Sequence, residues 1–157
     1  MAHVHHFKAA LSWTGAAKGP TVDYETYSRE YRMEIPGKPP FLGSSDPAFR
    51  GDATLYNPED MLVMALSSCH FLSYVAICAR ARLPVVSYED DASGTMDMKD
   101  GKIRFTEVIL RPRVVVAAGA DLDKARRFHE TAHSQCFIAN SVNFPVRHEP
   151  VVTVAPQ

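Results

Sequence analysis

Cysteine is scarce in this chain: 157 residues supply three, an odd number. That count excludes a disulfide-stapled secreted scaffold. No apolar leader opens the sequence, so a reducing compartment, the cytoplasm, is the expected address for these thiols. Charge of one sign is equally scarce, since 17 Lys+Arg face 18 Asp+Glu for a net −1. Without a basic stripe the phosphate attraction that drives nucleic-acid binding is missing, and no nucleic-acid partner is expected. There is no internal repeat and no linker, and 46% apolar with 22% charged residues is ordinary globular composition. A single domain over 1–157 follows.

One long apolar run stands out. Met61 to Ala79 carries no charged side chain, close to the roughly 20 residues that cross a bilayer. Ser67, Ser68, His70 and Ser73 crowd its middle, where lipid offers hydroxyls and imidazole no water. The run is therefore read as a protein-buried helix, covered on nearly all sides with help from a partner subunit, and no membrane is expected.

Period-two alternation at Phe7, Ala9, Leu11 and Trp13, and again at Tyr27, Tyr31, Met33 and Ile35, predicts two strands. From Pro36 to Tyr56 the prolines and glycines are too dense for a regular element, which predicts a long functional loop. Asn57-Pro58-Glu59-Asp60 is a helix start, with Asn as cap, Pro at the first position and two acids against the macrodipole. That helix should run from about 58 to 82. Asp100-Gly101 favours a tight hairpin turn between arms over about 85–98 and 102–116. Alternation weakens near Val108 to Pro112, where a bulge or edge is expected. A second helix over about 121–136 and an edge strand within 144–154 complete an α+β order of elements.

Cys69 lies inside the first helix, where a free cysteine serves equally well as a small core side chain. Cys78 is about 13.5 Å further along the axis, too far for a bridge while the helix is intact, and reads as core. On the second helix, Leu122, Ala125, Phe128, His129, Ala132, His133 and Cys136 share an arc of about 140°. Cys136 thus faces inward and could meet Cys69 if the helices pack together. A peroxidatic and a resolving thiol is one use for such a pair. His129-Glu130-Thr131-Ala132-His133 also matches the H-E-x-x-H zinc-protease pattern. Its context departs from the extended pattern, but a zinc site from His129, His133 and Cys136 is a second reading. His3, His5 and His6 are expected to be solvated. Arg50 is a loop cation and Glu59 a helix-dipole acid when each is taken singly.

The combination Asn57-Pro58-Glu59-Asp60-Met61-Leu62, Ser67-Ser68-Cys69-His70, and Cys136 with Asn140-Ser141-Val142 resembles the osmotically inducible protein/organic hydroperoxide resistance (OsmC/Ohr) family. The resemblance extends to Leu11-Ser12-Trp13-Thr14-Gly15 and the Asp100-Gly101 hairpin. It implies an α+β fold of antiparallel sheets wrapped around two central helices in an intertwined homodimer, with no bound cofactor. It also implies a thiol-dependent peroxidase acting on organic hydroperoxides, with Cys69 peroxidatic, Cys136 resolving, Glu59 orienting an arginine, and a lipoyl-type dithiol as reductant. Arg50 matches that arginine, with Arg29 and Arg32 as alternatives. Phe137 stands where many members have proline. A non-catalytic redox-sensing or binding protein of the same fold is the alternative function.

Glu59 and Cys69 lie about 15 Å apart along an unbroken helix. Either the helix breaks between them, or Glu59 and Arg50 reach the Cys69 of a partner. An unperturbed thiol is only a few per cent ionised at pH 7, which is why a guanidinium beside Cys69 would matter. Met61, Met64, Phe71, Leu72 and Phe137 are the candidates for an apolar wall that favours organic over hydrogen peroxide.

Overall fold

The computed structural model describes residues 4–156, in two compact units, Met1–Met61 and Leu62–Gln157, whose boundary falls inside the first long helix. The first unit holds a three-stranded antiparallel sheet of β1 (Ala10–Ser12), β2 (Tyr31–Glu34) and β3 (Phe41–Gly43) in that order. Both predicted N-terminal strands are present but shorter than the alternation suggested. The stretch expected to be loop contains β3 and a single 3₁₀ turn, Pro47–Phe49. Backbone bonds such as Ser44 N to Tyr56 O at 2.9 Å hold it in place.

Helix α1 (Pro58–Arg80) begins as its sequence dictates, with Asn57 Oδ1 accepting from Asp60 N at 2.7 Å. It ends two residues before the predicted limit, and Arg82 beyond it takes a positive φ of 54°. Its buried residues, Leu66, His70, Tyr74, Ile77 and Cys78, form one stripe at three- and four-residue spacing. One chain by itself covers only part of this helix. Only 22% of its most apolar 18-residue window is buried, although its length and composition would suffice to cross a membrane.

In the second unit each predicted hairpin arm is two strands. The outer halves, β4 (Val85–Asp90) and β7 (Pro112–Val116), pair with each other, while the inner halves, β5 (Ser93–Lys99) and β6 (Lys102–Leu110), form a separate ladder. The turn adopts positive φ at Asp100 (52°) and Gly101 (74°), as Asp-Gly favours. The break at Arg111 coincides with the lapse in alternation. Helix α2 (Leu122–Gln135) is capped by Asp121, and Cys136 is its C-cap. The single predicted last strand is two, β8 (Val146–His148) and β9 (Val151–Val154). They run parallel to β6 and β7, so two of the three sheets are mixed rather than antiparallel.

Two apolar clusters fill this unit. Tyr74, Ile77 and Cys78 of α1 meet Ala125 and Ala132 of α2 and Val114, Val116 and Val152 of the β4-β7-β9 sheet. Leu66 meets Val108 and Leu110 of the β5-β6-β8 sheet. Asp90 ties the helix to both sheets, accepting from Ser67 Oγ at 2.5 Å and from Arg111 N at 2.6 Å. Replacing Asp90 with Ala strands that amide without a partner, and the urea midpoint should fall by the equivalent of about 1–3 kcal/mol.

Candidate active site

Two thiols come together between α1 and α2. Cys69, half-buried, and Cys136, 1% exposed, are both free and are neighbours, close enough for Cys69 to act on the Cys136 thiol. Burial, then Cys69 beside it, pushes the Cys136 thiol up to about 11. Cys136 therefore keeps its proton at neutral pH. Ala139 N lies 3.4 Å from Cys136 Sγ, which fixes that sulfur at the end of α2. Cys78 is buried, bonded to Tyr74 and raised by its burial, in keeping with a core role.

The helices that carry the pair are locked by aromatic and polar contacts. Tyr74 Oη donates to Ala125 O at 3.2 Å, and its ring stacks on His129 at 4.0 Å. His129 Nδ1 in turn lies 3.0 Å from His70 Nε2 with the rings nearly coplanar. Of the H-E-x-x-H histidines, His129 thus meets α1, while His133 meets His148 of β8 at 5.3 Å between ring centroids. Among the described residues no three His, Cys, Asp or Glu side chains converge as metal ligands. The zinc reading from His129, His133 and Cys136 is corrected on that geometry, since His129 meets His70 and Cys136 meets Cys69. His148, which completes this cluster, carries no signal in the sequence, whereas His70 stands there as a polar residue within the apolar run and beside Cys69, with no contact assigned to it. Its sharing a face with Tyr74 one turn on is the spacing that points to the contact. His5 and His6 are exposed, and His3 lies outside the described residues.

Within the first unit, Arg50 closes the Pro47–Phe49 turn in the left-handed region at φ 64°, and its Nη2 sits 3.8 Å from Glu25 Oε1. Gly51 beside it permits a tight return, because an added Cβ would fall 1.5 Å from Ser45 O. Arg29 lies over the rings of Tyr24 and Tyr27 and donates to both their carbonyls, and Arg32 pairs with Glu34 at 2.6 Å. Glu59 sits in the first turn of α1 and raises the phenol of Tyr31, whose hydroxyl is buried and unpartnered, in addition to the effect of burial. Since α1 is continuous from Pro58 to Arg80, the alternative of a helix break between Glu59 and Cys69 is removed. About 15 Å of rise separates them.

At neutral pH iodoacetamide should alkylate Cys69 first, leaving Cys78 and Cys136 until the chain unfolds, as peptide mass spectrometry can show. The histidines add a pH signature. Burial, then His148 and His133, lowers His70 to about 4, while burial, then His70 and His148, lowers His129 to about 3. In the unfolded chain both take protons near 6.5. Between about pH 6.5 and 4 the unfolded state binds more protons, so folding stability should fall with pH by on the order of a few kcal/mol. Urea midpoints measured across that range would check the sign.

The OsmC-like protein family model matches residues 51–150. A Bacillus subtilis (strain 168) relative, the uncharacterized protein YmaD, is 26% identical over 89 residues, 55% of this chain and 59% of that protein, less than two thirds of its length. An OsmC-like protein of unknown function from Vibrio cholerae superposes with a TM-score of 0.87 at 34% identity, over 94% of this chain and 100% of that one. An organic hydroperoxide resistance protein from Elizabethkingia anophelis shares the fold, with a TM-score of 0.70 at 16% identity over 100% of both chains. With its two helices, mixed sheets and Asn-Pro-Glu helix start ten residues ahead of the first site thiol, the chain belongs to the OsmC-like family.

Proposed function

We propose that this chain is a thiol-dependent peroxidase that reduces organic hydroperoxides, with Cys69 attacking and Cys136 resolving. The observation that carries the reading is the neighbouring pair of free thiols, one partly exposed and one buried. The Cys69 thiolate attacks the hydroxyl oxygen of the hydroperoxide, the O–O bond breaks, and the alkoxide leaves and takes up a proton. Cys69 is then a sulfenic acid. Cys136 attacks the Cys69 sulfur, its proton departs with the hydroxide as water, and a disulfide remains. A lipoyl-type dithiol returns both sulfurs to thiols and is itself oxidised to a disulfide. Such a cycle suits a reducing cytoplasm. The family's hydroperoxide-resistance members support the substrate class.

Arg50 and Glu59 enter through a homodimer. An apolar helix mostly uncovered in one chain, with Met64 46% and Leu72 61% exposed, supports a second copy lying against α1. Arg50 of that copy would lower the Cys69 pKa and meet charge developing on the leaving alkoxide, with Glu59 orienting its guanidinium. Leu72, Met64 and the exposed Phe137 would line the approach of an alkyl group.

One equivalent of cumene hydroperoxide should be consumed by the reduced protein and leave a Cys69–Cys136 disulfide within one chain, mapped by mass spectrometry. Peroxide that persists would end the reading. Cys136→Ser should still consume one equivalent to give the Cys69 sulfenic acid, and a second equivalent should carry it to the sulfinic acid. Arg50→Gln should slow the first step by about 10²–10³, and sedimentation should report a dimer. A monomer with full activity would remove Arg50 and Glu59 from the site.

A further inference from the structure

Four imidazoles from three elements occupy the packing between α1, α2 and β8, and none enters the redox steps above. His70 and His129 are fully buried and meet head to head, Nε2 to Nδ1, at 3.0 Å. His148 of β8 lies against both, with ring centroids 5.4 and 6.3 Å away, and His133 lies 5.3 Å from His148. His70 directly follows Cys69, and His133 precedes Cys136 by one turn. The His70–His129 contact thus joins the same two helices as the thiol pair, next to Cys69 on α1 and two turns before Cys136 on α2.

A head-to-head pair shares one N–H. Whichever ring donates it, the outer nitrogens are one bare acceptor and one donor. These are His70 Nδ1 and His129 Nε2, and both are buried without a partner. A further proton must land on that bare nitrogen, which is buried and has no hydrogen-bonding side chain or backbone group among the described residues to share the charge. From α1 the pair faces Tyr74, backed by Cys78, and from β4 Tyr88 packs on Tyr74. All three are weak acids kept protonated by burial. From α2 come His133 and the exposed Glu130, which contacts His148 at 3.2 Å rather than the pair.

We propose that the His70–His129 pair positions the thiols. As a neutral pair it clamps α1 to α2 with Cys69 facing Cys136, and a proton taken up in acid releases the clamp and parts them. This inference builds on the thiol pair as the redox centre, and its test uses an oxidant other than peroxide so that the two readings fail separately.

Dithiodipyridine, which stays reactive in acid, forms a mixed disulfide on Cys69 and releases one thiopyridone. The Cys136 sulfur then attacks the Cys69 sulfur, expels the second thiopyridone and loses its proton to solvent, leaving the disulfide. Thiol ionisation alone slows this closing step by about tenfold per pH unit. Where circular dichroism shows the helices intact, we expect a further fall of about tenfold or more between about pH 5 and 3, in step with the titration of the His70 and His129 ring resonances.

The paired variant His70→Gln with His129→Asn sets an amide N–H against an amide oxygen where the rings met. It should close within about threefold of wild type at neutral pH and lack the further fall. His129→Leu should close more slowly at every pH. A wild-type rate that follows thiol ionisation alone overturns the proposal, as does a further fall that persists in the paired variant. Should that variant not fold, rings that stay neutral throughout the wild-type fall overturn it equally. Closing that follows the expected profile in a protein that leaves peroxide untouched sinks the peroxidase reading and keeps the clamp.

Discussion

Tyr74 fixes how the second unit holds together, because its ring lies on His129 at 4.0 Å while its hydroxyl is bonded to Ala125 O at 3.2 Å. One side chain of α1 thereby specifies both the separation and the rotation of α2. Turning α1 by one residue, about 100°, would point Tyr74 away from α2 and expose a phenol whose hydrogen bond is made only there. With that rotation set, His70 falls inward one turn earlier. Cys69, one residue before it, falls to the rim of the same face, where a sulfur is half-covered and still reachable. Cys136, on the last inward position of α2, is covered entirely.

The burial difference between the two sulfurs orders the chemistry. A thiol pushed up to about 11 is a poor nucleophile at neutral pH, because the thiolate is the reactive form. In the proposed cycle Cys136 is therefore the second attacker and not the first. Once Cys69 is oxidised in that cycle, the sulfur beside Cys136 becomes its electrophile. Proximity replaces acidity at that step. The neutral imidazoles behind the pair suit the same arrangement, since a cation buried between the helices would cost more than the helix contact returns.

What was legible in the sequence follows from how local each instruction is. Asn57 as cap and Asp100-Gly101 as turn act over four residues or fewer, and both formed as read. The inward arc of α2 was also legible, since 3.6-residue periodicity is a property of one helix. The arms around the turn were misread because alternation marks a strand without naming its partner. Arg111 lets the chain leave one sheet and join another, and only the distant pairing of Val85–Asp90 with Pro112–Val116 reveals it. The exposed flanks of α1 were hidden for a related reason: apolar composition states a need for cover and not which chain supplies it.

The site divides along the same line. Helical spacing singles out Cys69 and Cys136 in the sequence, and the structure places Cys69 at the rim of the face where α1 meets α2 and Cys136 inside it. His129 and His133 were also found but given the wrong purpose. Spacing of three and four residues brings two side chains to one face whether that face meets a metal or another helix, and only the second surface decides between them. Here His129 meets His70 and Tyr74 of α1, while His133 meets His148 of β8. The two histidines of the motif thus face two different elements of the protein. Arg50 illustrates the opposite case: its position is set by the left-handed turn and by Gly51 against Ser45, a backbone geometry that holds the guanidinium out on the loop whatever that guanidinium is to meet.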